Sequence, residues 1–244
     1  MNKREAVYAL GGFLLNSCVS QPYSVPTGYV DYKYRPQEEQ TVPSLEKIIT
    51  ANVCEQRVDN QKKDFMSPEY RALLDTIAWA EGTDCHYNMM AGRMLFTNFK
   101  KHPIETGEMP EKGTPFTVRW RKVYTTAAGR YQFLHGTYLI LKNDAGLFQT
   151  GFTPEEQDKA AKYLMEKQGI TQKVVDEAVK NKNFTEIWNS LSWTWASIPC
   201  DESKKLRKER RRCIKGRGRY GQFAHPQENV EKIFFMFYEK HKKE

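Results

Sequence analysis

The sharpest periodic stretch in the chain lies at residues 67–81. Tyr70, Leu73, Leu74 and Ile77 fall at i, i+3, i+4 and i+7, which places them on one face of a helix. Ser67 offers an N-cap oxygen, Pro68 suits the first helical position, and Glu69 complements the positive end of the helix dipole. Glu81 stands four residues past Ile77 and continues the apolar stripe, and Gly82 is a helix stop just beyond it. A glutamate on an apolar face at the negative end of a helix resists ionising, because burial and the dipole both favour its neutral form. A carboxyl that keeps its proton near neutral pH is what general acid catalysis requires. The plainer alternative is a glutamate that leaves the core at the helix end, as charged residues usually do.

Helical spacing recurs elsewhere. Ser44 would cap a helix over 44–58 with Leu45, Ile48, Ile49 and Val53 as its stripe. Thr153-Pro154-Glu155-Glu156 predicts a capping box and a helix running toward Gly169. Val174, Val175 and Ala178 predict another helix, and Phe184, Ile187, Trp188 and Leu191 a third. Val230, Ile233, Phe234, Phe237 and Tyr238 mark an amphipathic helix near the C-terminus. Residues 89–126 read instead as a short antiparallel region, because apolar and polar residues alternate from Phe116 to Tyr124. Many helices with a small antiparallel sheet beside a cleft predict an α+β fold. After the sheet, Gly129 permits a close backbone approach. Tyr131 and Gln132 offer an aromatic surface and a two-way hydrogen-bonding amide, suited to a sugar hydroxyl or N-acetyl group.

The chain has 244 residues and a net charge of +8, and the charge is unevenly placed. Residues 1–67 hold eight basic and eight acidic residues, whereas 201–219 hold ten basic and three acidic. The basicity is therefore a local patch. At the start, Met1-Asn2-Lys3-Arg4 is positive, Ala6 to Leu15 is mostly apolar, and Leu15-Asn16-Ser17-Cys18 follows. Residues 1–18 read as an export signal of the lipoprotein kind, with Cys18 as the acylated residue. A buried N-terminal helix is the alternative. Residues 19–65, with Pro22, Pro26, Pro36 and Pro43, read as a tether. The expected location is thus the periplasm, or a membrane surface through Cys18.

Four cysteines remain: Cys54, Cys85, Cys200 and Cys213. An even number suits two disulfides in an oxidising compartment. Cys200 with Cys213 would bracket the basic segment, and Cys54 with Cys85 would tie the tether to the loop after Glu81, though sequence leaves the connectivity open. No C-x₂-C spacing is present, and His86, His102, His135, His225 and His241 have no metal-ligand spacing, so neither metal nor cofactor is expected. Ser197 has no adjacent His/Asp pattern, which argues against a serine hydrolase. Trp188, Trp193 and Trp195 could stack on sugars, but their spacing favours core packing for at least two of them. His135 follows Gln132 closely, yet a packed or solvent-facing role suits it better than a cleft role.

Three segments occur in order: Ala78-Trp79-Ala80-Glu81-Gly82-Thr83-Asp84, Ala128-Gly129-Arg130-Tyr131-Gln132, and Trp195-Ala196-Ser197-Ile198-Pro199 with Tyr220-Gly221-Gln222-Phe223. Together they resemble the phage lambda-type endolysins, lysozyme-fold enzymes that cut peptidoglycan, and Leu95-Phe96-Thr97 adds a further match. The resemblance covers roughly residues 66–240 of a domain taken as 66–244. It implies a lytic transglycosylase that cleaves the β-1,4 bond between N-acetylmuramic acid and N-acetylglucosamine without water, leaving a 1,6-anhydro end. Glu81 would be the acid and then the base. Tyr131 and Gln132 would line the cleft, with Tyr220 and Gln222 on its other wall. Asp84 would contact substrate, or serve as the second carboxylate of a hydrolytic muramidase. A non-catalytic wall-binding component is the remaining alternative. The basic segment at 200–219 departs from the family pattern. It would form a disulfide-closed loop for an anionic wall polymer or membrane surface, unless it is simply a solvated charged helix. It holds no aromatic residue for base stacking, so no nucleic-acid partner is expected.

Overall fold

The apolar stripe that starts at Tyr70 does form a helix, α1, spanning Pro68–Ala80. A computed structural model describes residues 66–118, 121–200 and 223–244. The expected signal, tether, 44–58 helix and most of the basic segment lie outside the described residues, as do Cys18, Cys54, Cys213, Tyr220 and Gln222. Ser67 caps α1 as its sequence suggests, its Oγ accepting from the Tyr70 N–H at 3.3 Å. α1 differs from a one-sided surface helix, however. Ala72, Thr76 and Ala78 are as fully buried as Leu73, Leu74 and Ile77. These small side chains admit neighbours on the faces that the large stripe leaves open.

Two short antiparallel pairs follow. β1 (Met89–Met90) pairs with β2 (Met94–Leu95), and β3 (Thr114–Val118) pairs with β4 (Arg121–Thr125). Thr114 lies opposite Thr125 and Val118 opposite Arg121, so the alternation from Phe116 to Tyr124 is shared between two strands of one hairpin. Helix α2 (His135–Asp144) has no counterpart among the stretches singled out by periodicity. Only Tyr138 and Leu141 of it are buried, too few to write a stripe.

The remaining helices are α3 (Pro154–Lys167), α4 (Gln172–Asn181), α5 (Thr185–Leu191) and α6 (Gln227–Lys243). α6 packs most extensively against α1, and α3 and α4 also touch it. Phe184 joins this side of the core, its ring 4.4 Å from Phe234 and stacked on Trp188 at 5.5 Å. Trp188 and Trp195 are buried core residues, and Trp193 is half-buried. At the start of α3 the capping box is only half formed. Thr153 Oγ1 accepts from the Glu156 N–H at 3.4 Å, but the Glu156 carboxylate turns to the Phe148 N–H at 2.5 Å. That bond pins the turn before α3, and it seats Phe148 among Phe133, Tyr138 and Phe152.

Candidate active site

Glu81 is the C-cap of α1, its N–H bonding to Ile77 O at 2.9 Å. The next residues wrap back onto the same helix end. Thr83 N and Asp84 N both donate to Ala78 O, at 3.0 and 3.2 Å, and Thr83 Oγ1 adds a third bond to it at 3.0 Å. Gly82 makes this reversal at φ +70°, a conformation that costs glycine little. The half-buried Glu81 side chain meets one partner from far along the chain: Ser197 Oγ donates to Glu81 Oε1 at 2.6 Å. Burial raises the Glu81 carboxyl above the ordinary carboxylate range, and bonds from the Ser197 hydroxyl and peptide N–H oppose that rise. The group is thus biased toward its protonated form, with the Ser197 hydroxyl placed to meet the anion.

The loop after Glu81 is held by Arg130. The Arg130 carbonyl accepts from Thr83 Oγ1 at 2.5 Å, and its Nε donates to Asp84 O at 2.8 Å. The guanidinium continues to Asp75 at 2.5 Å and to the hydroxyls of Tyr87 and Tyr131 at 3.2 and 3.0 Å. Both hydroxyls in turn donate to Asp158, Tyr87 at 2.8 Å and Tyr131 at 2.5 Å. Behind Asp75, His241 on the last turn of α6 lies 2.8 Å away and pairs with Glu244, which Arg71 also engages at 2.7 Å. This buried network ties the end of α6, the middle of α1, α3 and the Glu81 loop together.

That network corrects one expectation. Tyr131 does not line a cleft: it is 1 % exposed, and its ring and hydroxyl are committed to the core. The hydroxyl that looked available to a sugar satisfies Asp158 instead. Gln132 does keep a free face. It is half-buried at φ +49°, and its Nε2 donates to Gly129 O and Met89 O at 2.9 and 3.2 Å. These two carbonyls fix the amide orientation, and among the described residues Oε1 has no hydrogen-bond donor. Gly129 is required by proximity, because a Cβ there would collide with the buried Gln157 amide. That amide accepts from Arg130 N and donates to Tyr87 O and Phe152 O. Asp84 is exposed and left-handed at φ +49°, and the fold uses its carbonyl.

A second wall comes from the segment after the basic insertion. His225 N donates to Ser197 O at 3.0 Å, and His225 Nε2 lies 3.3 Å from Ala80 O. Its ring packs on half-buried Trp79 at 4.3 Å, and the exposed Phe223 meets it edge-on at 5.0 Å. Burial lowers the His225 pKa, opposed by the Ala80 carbonyl, which favours the neutral ring. Sequence reasoning identified neither Ser197 as the partner of Glu81 nor Arg130 and His225 as the residues that hold the segments beside it. Ser197 and Arg130 were visible only as members of the recurring segments. His135, half-buried, leans on Tyr138 and Glu105, away from any role at Glu81. Cys85 and Cys200, which follow Glu81 and Ser197 closely, are both disulfide-bonded. Among the described residues no three of His, Cys, Asp and Glu converge as a metal site, and no helix is long and apolar enough to cross a membrane.

The chain is similar to known proteins over this same region. The endolysin of Escherichia phage lambda is 26 % identical over 181 residues, covering 71 % of this chain and 88 % of that protein. The solved structure of bacteriophage lambda lysozyme complexed with a chitohexasaccharide shares the fold, with a TM-score of 0.50 and 24 % identity over 70 % of this chain and 95 % of that one. The Endolysin family model matches residues 71–236, more than half of the chain. That span carries Glu81, Arg130, Gln132, Ser197 and His225, and on this match the chain belongs to the Endolysin family.

Proposed function

We propose that the protein cleaves the β-1,4 bond between N-acetylmuramic acid and N-acetylglucosamine in peptidoglycan, as a lytic transglycosylase. The observation that carries this reading is Glu81, a carboxyl whose pKa burial raises and whose anion would meet the Ser197 hydroxyl. Glu81 gives its proton to the glycosidic oxygen as the bond from that oxygen to the muramic anomeric carbon breaks. The muramic C6 hydroxyl then closes on the same carbon, and its proton returns to the Glu81 carboxylate. No water is consumed, and one carboxyl serves both halves. The substrate's own acetamide supplies the stabilisation that a second carboxylate provides elsewhere. Gln132 Oε1 accepts from a sugar hydroxyl or amide, and Asp84, Tyr220 and Gln222 add contacts along the strand. The lambda lysozyme structure with its chitohexasaccharide supports a glycan strand as the ligand.

The same reading takes residues 1–18 as an export signal, with the enzyme periplasmic or held to a membrane through Cys18. It assigns Cys54 to Cys85 and Cys200 to Cys213 as disulfides, and the 200–219 loop to an anionic wall polymer or membrane surface. The test is mass spectrometry of muropeptides released from purified peptidoglycan by the wild type and Glu81→Gln. Products short of one water from the wild type, with a loss of about 10²–10⁴-fold in the variant, support the reading. Reducing ends would replace it with a hydrolase and bring Asp84 forward. No release by the wild type would leave a wall-binding component.

A further inference from the structure

Ser197 sits where the chain leaves the core for the basic insertion, and it is only 9 % exposed. Its peptide is fixed from both sides. The Ser197 carbonyl accepts from His225 N at 3.0 Å, and Ile198 N closes a turn onto Trp195 O at 3.1 Å. Trp195 is itself anchored, its indole N–H donating to Tyr131 O at 3.1 Å. The hydroxyl therefore points at Glu81 from a rigid support. The carboxyl beside this serine is the one that burial biases toward its protonated form, so the hydroxyl serves as a hydrogen-bond donor and not as a nucleophile. It is a donor aimed at the one group whose charge changes during the reaction.

We propose that Ser197 is a positioning residue for Glu81, holding its carboxyl with the hydroxyl and stabilising the negative charge each time the proton leaves. The inference rests on Glu81 being the acid of the reaction. Preorganised donors aimed at a developing charge need no rearrangement as the charge appears. Without them a carboxyl buried this way would keep its proton too firmly to donate it. The titratable groups near Glu81 among the described residues do not replace them. His225, whose pKa burial lowers, directs its Nε2 to the Ala80 carbonyl. Asp84 is exposed on the loop, and Arg130 is directed to Asp75 and the Asp84 carbonyl. Burial and hydrogen bonding to Ser197 set the Glu81 carboxyl.

The experiment titrates Glu81 directly in the full-length protein. ¹³C-glutamate labelling follows its carboxyl by NMR, with Glu81→Gln identifying the signal, and the pH dependence of kcat and KM on peptidoglycan is measured beside it. Ser197→Ala should raise the midpoint by about one pH unit, the size expected for one hydrogen bond to a charged group. The alkaline limb of kcat should move up by the same amount, and kcat should fall about tenfold with KM unchanged. Ser197→Thr, which keeps the hydroxyl, should restore both. Should Ser197→Ala not fold, Ser197→Cys weakens the donor at similar size and should move the midpoint in the same direction. An unmoved midpoint beside an inactive Glu81→Gln would overturn the Ser197 proposal alone. A moved midpoint beside a fully active Glu81→Gln would remove Glu81 as the acid and leave the contact standing.

Discussion

Helix α1 needs little from outside to define it, whereas the loop that follows Glu81 owes its shape almost wholly to distant residues. On the helix side the signals are local: a cap at Ser67, Pro68 at the first position, an apolar stripe and Gly82 as the stop. Its stability then comes from non-directional burial against α6, α3 and α4. On the loop side, residues 82–87 bury few apolar groups of their own. They are held by directional bonds to the Arg130 carbonyl and guanidinium, 46 or 47 positions away in sequence. Burial tolerates small shifts, whereas a charged hydrogen-bond network fails when one member is lost. The carboxyl proposed as the acid is thus delivered by a robust element and followed by a loop held in a fragile way.

Removing Arg130 is the hardest blow to that arrangement. Arg130→Met should destabilise the fold by about 3–5 kcal/mol in chemical denaturation, because Asp75 and Asp158 lose their buried cation. Activity measured well below the new melting point should fall as well, since the 82–87 loop loses its anchor. Loss of stability no larger than at an exposed arginine would mean that the network is ornamental.

Two glycines separate the regions at a smaller scale. Gly129→Ala should cost about 2–4 kcal/mol, because a left-handed backbone adds to a collision with Gln157, whose amide is fixed by three bonds. Gly82→Ala meets open space and should cost only the left-handed conformation, about 1–2 kcal/mol. Equal costs from paired melting curves would deny that the backbone beside Arg130 is more tightly packed than the turn at Gly82.

The smallest effect sharpens the view of Glu81 itself. Its folded carboxyl prefers the proton, while the unfolded one ionises at the ordinary pKa. The wild type therefore loses stability as pH rises from the unfolded pKa to the folded one, and the loss then levels off. Glu81→Gln should match the wild type in stability at pH 3 and exceed it at pH 8. The variant would be the more stable protein at neutral pH, and a constant difference at all pH values would deny the raised pKa.

Much of the helical frame was legible because each helix buries a face whose period is written in the chain. α4, α5 and α6 appear where apolar spacing placed them, and α3 begins where its cap signal placed it. α2 was not legible, since a helix with two buried residues writes no stripe. Glu156 misled in the opposite way: the capping-box pattern was present, but the nearby Phe148 N–H offered a buried partner. Tyr131 was the clearest misreading of the site. An aromatic with a hydroxyl suits a sugar and suits a buried aspartate equally well, and only Asp158 on α3 decides between them.

What the sequence by itself determined was the helix that carries Glu81, the α+β character, the family segments and a carboxyl in an apolar register. Those follow from periodicity and caps, which act within a few residues. Tertiary structure alone decided that Ser197, 116 positions away, donates to that carboxyl, that Arg130 grips its loop, and that His225 packs on Trp79 beside it. Such contacts join groups whose separation in sequence carries no period, so they exist only once the core has brought the segments together.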